Sequence, residues 1–145
     1  MKKVLFCTLM FTGVSTMLTG CVAPNPFVPK ALNEKAKGIT TVRSTPYGCK
    51  VLGEVEGVDE SKTSPHDLTP LVAMPTMAEL RQGAMNDLRN NAAEVVGKSK
   101  RITLRVIDEK LTCYGNGACP SDIQDNHIVK RFSVTAQIFE CGKKD

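Results

Sequence analysis

The residues able to do covalent, redox or metal chemistry in this chain of 145 residues are few: six cysteines, two histidines and a scatter of hydroxyls and carboxylates. Cys113 and Cys119 lie near one another, with five residues between them. A dithiol of thioredoxin type needs a two-residue spacing at a helix start, where the thiolate is stabilised. Here Tyr114-Gly115-Asn116-Gly117 is turn chemistry, and the spacing favours a structural crosslink over a redox centre. His66 and His127 each lack a second ligand at the close spacing a zinc site requires, so no metal and no cofactor is expected. Ser64, His66 and Asp67 are the residue types of a hydrolytic triad. Triads converge in space rather than along one loop, and no nucleophile elbow or oxyanion-hole glycine pattern accompanies these three. No catalytic residue is assigned, and the chain is expected not to be an enzyme.

The first cysteines belong to a different feature. Lys2 and Lys3 precede an uncharged, largely apolar run from Val4 to Leu18, with the small residue Gly20 behind it. This is the pattern of an export signal, too short to span a bilayer, which takes about 20 apolar residues. Leu18-Thr19-Gly20-Cys21 resembles the lipobox of bacterial lipoproteins. That resemblance implies a signal peptide over residues 1–20, cleavage before Cys21, and lipidation of Cys21 by a thioether diacylglycerol and an amide-linked acyl chain. Two such signals anchor a protein stably without a spanning helix. In envelope lipoproteins of the enterobacterial type, Asp after the lipidated cysteine favours the inner membrane, so Val22 implies the outer one.

Removal of Lys2 and Lys3 lowers the formal charge from +4 to +2. So weak and scattered a charge gives no nucleic-acid partner, and the absence of Trp gives no stacking platform for bases or sugars. No small-molecule substrate is evident. Cys7 leaves with the signal and Cys21 is taken by lipid, so Cys49, Cys113, Cys119 and Cys141 remain. Four cysteines in an oxidising compartment predict two disulfides, and the spacing leaves their three pairings open.

Residues 21–38 read as the lipidated N-terminus and a flexible tether: Pro24, Pro26 and Pro29 interrupt regular structure, and Lys30, Glu34, Lys35 and Lys37 follow. A tail folded back on the domain is the alternative. The globular part is predicted over 39–145. Ile39–Arg43 reads as a short strand, and Cys49–Val55 as a second that ends at Gly57. Asp59–Pro70 reads as an irregular loop. Thr76 and Glu79 form a capping box that opens a helix over Met77–Val96. Its stripe is Met77, Leu80, Ala84, Leu88, Ala92 and Val95, and Gly97 is its stop. Ile102–Val106 and Phe132–Ile138 alternate as strands with one apolar face, separated by a loop over Asp108–Asn126. The order β-β-α-β-β predicts an α+β domain: a small antiparallel sheet with one helix on one face, tied by disulfides.

Three stretches together carry a resemblance: the strand Cys49-Lys50-Val51-Leu52-Gly53-Glu54-Val55, the helix Arg81-Gln82-Gly83-Ala84-Met85-Asn86-Asp87-Leu88-Arg89-Asn90-Asn91-Ala92-Ala93-Glu94, and the ending Phe139-Glu140-Cys141. They resemble a family of small enterobacterial-type envelope lipoproteins of unknown function, whose helix has the form "GAANDLRNQAA". The layout is more remotely similar to the stress-sensor outer-membrane lipoproteins of the Rcs phosphorelay. The family pattern implies Cys49–Cys141, with Cys113–Cys119 closing its own loop. The Rcs pattern implies the interleaved pairs Cys49–Cys119 and Cys113–Cys141.

The motif residues Asn86, Asp87, Arg89 and Asn90 are the part that core packing does not explain. They read as a partner-binding surface, a polar lock between helix and sheet, or a solvated helix face. The functional expectation is a lipid-anchored, non-catalytic binding, sensing or assembly module of the outer membrane, partnered by the membrane through its lipid and by another envelope protein. The alternatives are a periplasmic thiol-disulfide protein using Cys113 and Cys119, and a surface-exposed structural or antigenic lipoprotein.

Overall fold

The computed structural model describes residues 26–63, 74–96, 101–115, 117–120, 123 and 128–142. The leader, Cys21, Ser64, His66, Asp67, Gly97 and His127 lie outside the described residues. One helix packs on one face of a five-stranded sheet, an α+β architecture. The elements are β1 (Thr40–Val42), β2 (Cys49–Glu60), α1 (Met77–Val96), β3 (Ile102–Cys113), β4 (Gly117–Ala118) and β5 (Val129–Cys141).

The sheet is mixed, not antiparallel as the alternation suggests. Its strand order is β1-β3-β5-β2, with β4 a short hairpin return on β3. β1 runs parallel to β3, with Thr40 opposite Thr103 and Val42 opposite Arg105. The reason is topological. β1 and β2 are consecutive in the chain but occupy opposite edges of the sheet, so the link over residues 43–48 has to cross the two strands between them and cannot be a hairpin.

α1 opens on the capping box. The Thr76 amide donates to Glu79 Oε2 at 2.8 Å, and the Glu79 amide donates to Thr76 Oγ1 at 3.2 Å. Such a box contributes about 1 kcal/mol. The buried stripe is Leu80, Ala84, Leu88 and Ala92, one residue every turn, flanked by Gly83 and Ala93. Val95 is 67 % exposed and does not continue it. Val96, the next residue in the i+4 row, packs on the core instead. Facing the stripe are Val55, Leu104, Phe132, Val134, Ala136 and Ile138, all buried. The opposite face of the sheet is polar, with Glu54, Glu56, Arg105, Lys110, Ser133, Thr135 and Gln137 in register across three strands.

The three long strands outrun their apolar alternation. β3 continues through Asp108-Glu109-Lys110, a stretch that reads as loop, because a bulge between Val106 and Asp108 resets the pleat. After it, Glu109 and Leu111 lie opposite Val134 and Phe132 on the helix side of the sheet. Arg81 of α1 then pairs with Glu109 at 2.7 Å, and that carboxylate holds the guanidinium above its ordinary pKa.

β2 runs on past Gly57 to Glu60. Gly57 does not end the strand but lies directly under the helix: a Cβ there would sit 2.3 Å from Ala84 O and from Leu88 N. On the helix itself, a Cβ at Gly83 would meet Asp59 Oδ2 at 1.6 Å. Two glycines, one on each element, let α1 settle onto β2.

Candidate functional site

Asn86, Asp87 and Asn90 of α1 converge on one place, the cleft between the helix and β2, and a segment expected to be tether fills it. Residues 26–38 are not a free stalk. Ala36 is fully buried within a short 3-10 turn (Glu34–Ala36), Ile39 is buried behind it, and Phe27 and Leu32 pack against the core. Prolines exclude helix and sheet here, but an extended strap needs neither. It needs side chains on the domain that satisfy its main chain.

α1 and β2 supply them. Asn86 Nδ2 donates to Lys30 O at 2.8 Å, and Asn90 Nδ2 donates to Ala31 O at 2.9 Å. Asn90 Oδ1 in turn accepts from the Asn33 amide at 2.8 Å. The Lys30 amide donates to Asp59 Oδ2 at 3.1 Å. Asn90 thus grips the strap at two alternate residues with both ends of its amide, as a neighbouring strand would.

Asp87 joins all three parts. Its Oδ1 pairs with Lys30 Nζ at 3.0 Å, and its Oδ2 accepts from the Val58 amide at 2.9 Å. Beside it, Asn91 Nδ2 donates to Glu56 O at 2.9 Å. β2 is an edge strand among the described residues, and Asp87 and Asn91 satisfy backbone groups on its outward side. Arg89 is half-buried, and its Nε is buried without a hydrogen-bond partner among the described residues.

Of the four motif residues, therefore, Asn86, Asp87 and Asn90 contact this chain's own strap or sheet edge, and Arg89 joins neither. An external partner would reach the first three only by displacing the strap. Sequence reasoning did not single out Lys30, Asp59 or Asn91. A signal for Asp59 was present in Gly83, since a mid-helix glycine that costs about 1 kcal/mol in propensity marks something pressed against the helix. Asp59 is only 5 % exposed.

Asn90→Ala removes two hydrogen bonds, each with a net value of about 1 kcal/mol. Hydrogen exchange at the Asn33 amide is expected to accelerate about thirtyfold, while amides in the middle of β5 stay unchanged. Equal acceleration in both places would mean that the strap is not a separable unit.

The cysteines pair as Cys49–Cys141 and Cys113–Cys119, with Cα separations of 4.3 and 5.1 Å. Cys49 and Cys141 are direct cross-strand neighbours at the open ends of β2 and β5. Cys113 and Cys119 staple the β3–β4 hairpin, and Cys113 is 5 % exposed. The triad residues Ser64, His66 and Asp67 cannot be placed, since all three fall outside the described residues. Among the described residues no group of three or more His, Cys, Asp or Glu side chains could hold a metal ion, and no helix is long and apolar enough to cross a membrane. In comparisons with known proteins, no family model, no curated protein and no solved structure matches this chain.

Proposed function

We propose that this chain is a lipid-anchored protein of the bacterial envelope, held in the outer membrane through Cys21, and that its α+β domain is a non-catalytic binding, sensing or assembly module. The observation that carries the reading is the use of cysteine. All four cysteines downstream of Cys21 are consumed in two disulfides. Disulfides form and persist outside the cytosol and are rare within it. The lipobox-like tetrad before Cys21 supplies both the route out and the mooring. The packed strap adds to this, because it leaves only the few residues between Cys21 and Pro26 ahead of the described structure, a span of roughly 17 Å when extended. The domain then sits close to its bilayer.

The thiol-disulfide alternative has less support. Cys113 is buried, so only the half-buried Cys119 offers a sulfur that a partner thiolate can reach.

Cys21→Ala tests the anchor. The wild-type protein is expected in the membrane fraction, and the variant in the soluble periplasmic fraction or retained with an uncut leader. Processed Cys21→Ala protein that still sediments with membranes would sink the lipid reading. Val22→Asp is the companion variant. If the outer membrane is the destination, it shifts the protein toward the inner membrane on a density gradient.

A further inference from the structure

The cleft that holds the strap has the chemistry of a peptide groove. Four of its hydrogen bonds go to main-chain atoms of the strap: Lys30 N and O, Ala31 O and Asn33 N. Such contacts read an extended backbone whatever its side chains, as a sheet edge does when it takes up an added strand. The side-chain requirements are short. A cation is read at position 30 by Asp87, an apolar residue is half-buried at 32, and a small residue is fully buried at 36.

The strap is also the part of the fold best placed to leave. It joins no strand ladder among the described residues. The asparagine contacts that hold it lie at the surface, and Lys30 is 46 % exposed in its ion pair. A segment outside the strand ladders opens at lower cost than a core strand, here by exposing Ala36 and the half-buried Phe27 and Leu32. Lys37 and Gly38, both exposed, connect it to β1 and can serve as the hinge.

We propose that the α1–β2 cleft is a main-chain-reading peptide groove whose ligand in trans is the strap of a second copy of this chain. Residues 26–36 of one copy lie on Asn86, Asp87 and Asn90 of the other, and the exchange is reciprocal about a twofold axis. A second copy is the occupant the groove fits by construction, since every contact made in cis is available unchanged in trans. Exchange of an identical element is accordingly a low-cost route to a dimer. The balance is set by concentration. The strap in cis competes at an effective concentration in the millimolar range, so exchange appears when copies are crowded. The inference stands independently of whether Cys21 is acylated.

The test separates the groove from its occupant. Ala36→Asp alters the strap and leaves every groove residue in place, so it frees the groove within the full chain. A fluorescent peptide of residues 26–37 is titrated against this variant, with circular dichroism and a free-thiol count confirming its fold. The expected result is saturable binding at least tenfold tighter than to the unmodified chain, and at least tenfold weaker when Asn86→Ala and Asn90→Ala are added. A folded Ala36→Asp chain that binds no peptide overturns the groove.

The second readout does not depend on that variant's folding. A photoreactive residue replaces Asn33, whose side chain is exposed, in one of two differently tagged full chains. Adducts joining the two tags at residues 86–94, rising with concentration and suppressed by the free peptide, are expected. Adducts confined to a single chain at every concentration overturn the second copy as occupant.

Discussion

Gly57→Ala is expected to destabilise the domain by about 3 kcal/mol or more, at the top of the range for inserting a methyl group into a packed core. The added Cβ would lie 2.3 Å from Ala84 O and Leu88 N and 2.5 Å from Leu88 Cα, all of them backbone atoms of α1. No rotamer change relieves such a contact. The helix has to lift from the sheet, and lifting it loosens Leu80, Leu88, Val134 and Ala136 together, since close-packed side chains lose contact energy steeply with separation. Urea unfolding with both disulfides intact measures the change. A loss under about 1 kcal/mol would mean that α1 does not cross β2 at Gly57, and the close seating of helix on sheet would fail with it.

The second large effect comes from the long crosslink. Cys49→Ala/Cys141→Ala opens a covalent loop with a sequence separation of 92, whereas Cys113→Ala/Cys119→Ala opens one of only 6. On the chain-entropy account these are worth about 4–5 and about 2 kcal/mol. A domain of this size has a total stability of roughly 5–15 kcal/mol, so the first pair of substitutions is expected to leave it marginal or unfolded at 37 °C and the second to leave it folded. Thermal unfolding of the two double variants checks this. The reverse order would show that the short staple, not the bond across β2 and β5, holds the fold.

What could be read from the sequence was what is local. The bounds of α1 emerged from Thr76, Glu79 and a stripe at 3.6-residue spacing, because a helix is written in neighbours along the chain. The stripe failed only at Val95, where the row of contacts continues to Val96. β2, β3 and β5 were visible where they alternate. The continuation of β3 was hidden because the bulge after Val106 breaks the alternation and three charged residues follow. The parallel pairing of β1 was out of reach for a deeper reason: Thr40 meets Thr103 across 63 residues, and nothing in either short segment names the other.

The candidate site divides in the same way. Asn86, Asp87 and Asn90 stood out as polar residues in a motif that packing did not explain. Their ligands are main-chain atoms of Lys30, Ala31 and Asn33, and a backbone carbonyl leaves no mark in a sequence. The prolines of the strap pointed to a flexible tether, and the structure takes the other reading, a tail folded back on the domain. They could not tell a strap bound to the domain from a stalk in water, because both are extended and only the partner differs.

Everything proposed about location rests on the fate of one sulfur. Intact-mass analysis of the protein purified from its native membranes, followed by sequencing of its first peptide, addresses that sulfur directly. The account predicts a chain beginning at Cys21, carrying a diacylglycerol on its sulfur and an acyl chain on its amine, with Cys49–Cys141 and Cys113–Cys119 oxidised. A chain that begins at Met1, or one that begins near position 21 with a free thiol, would contradict it.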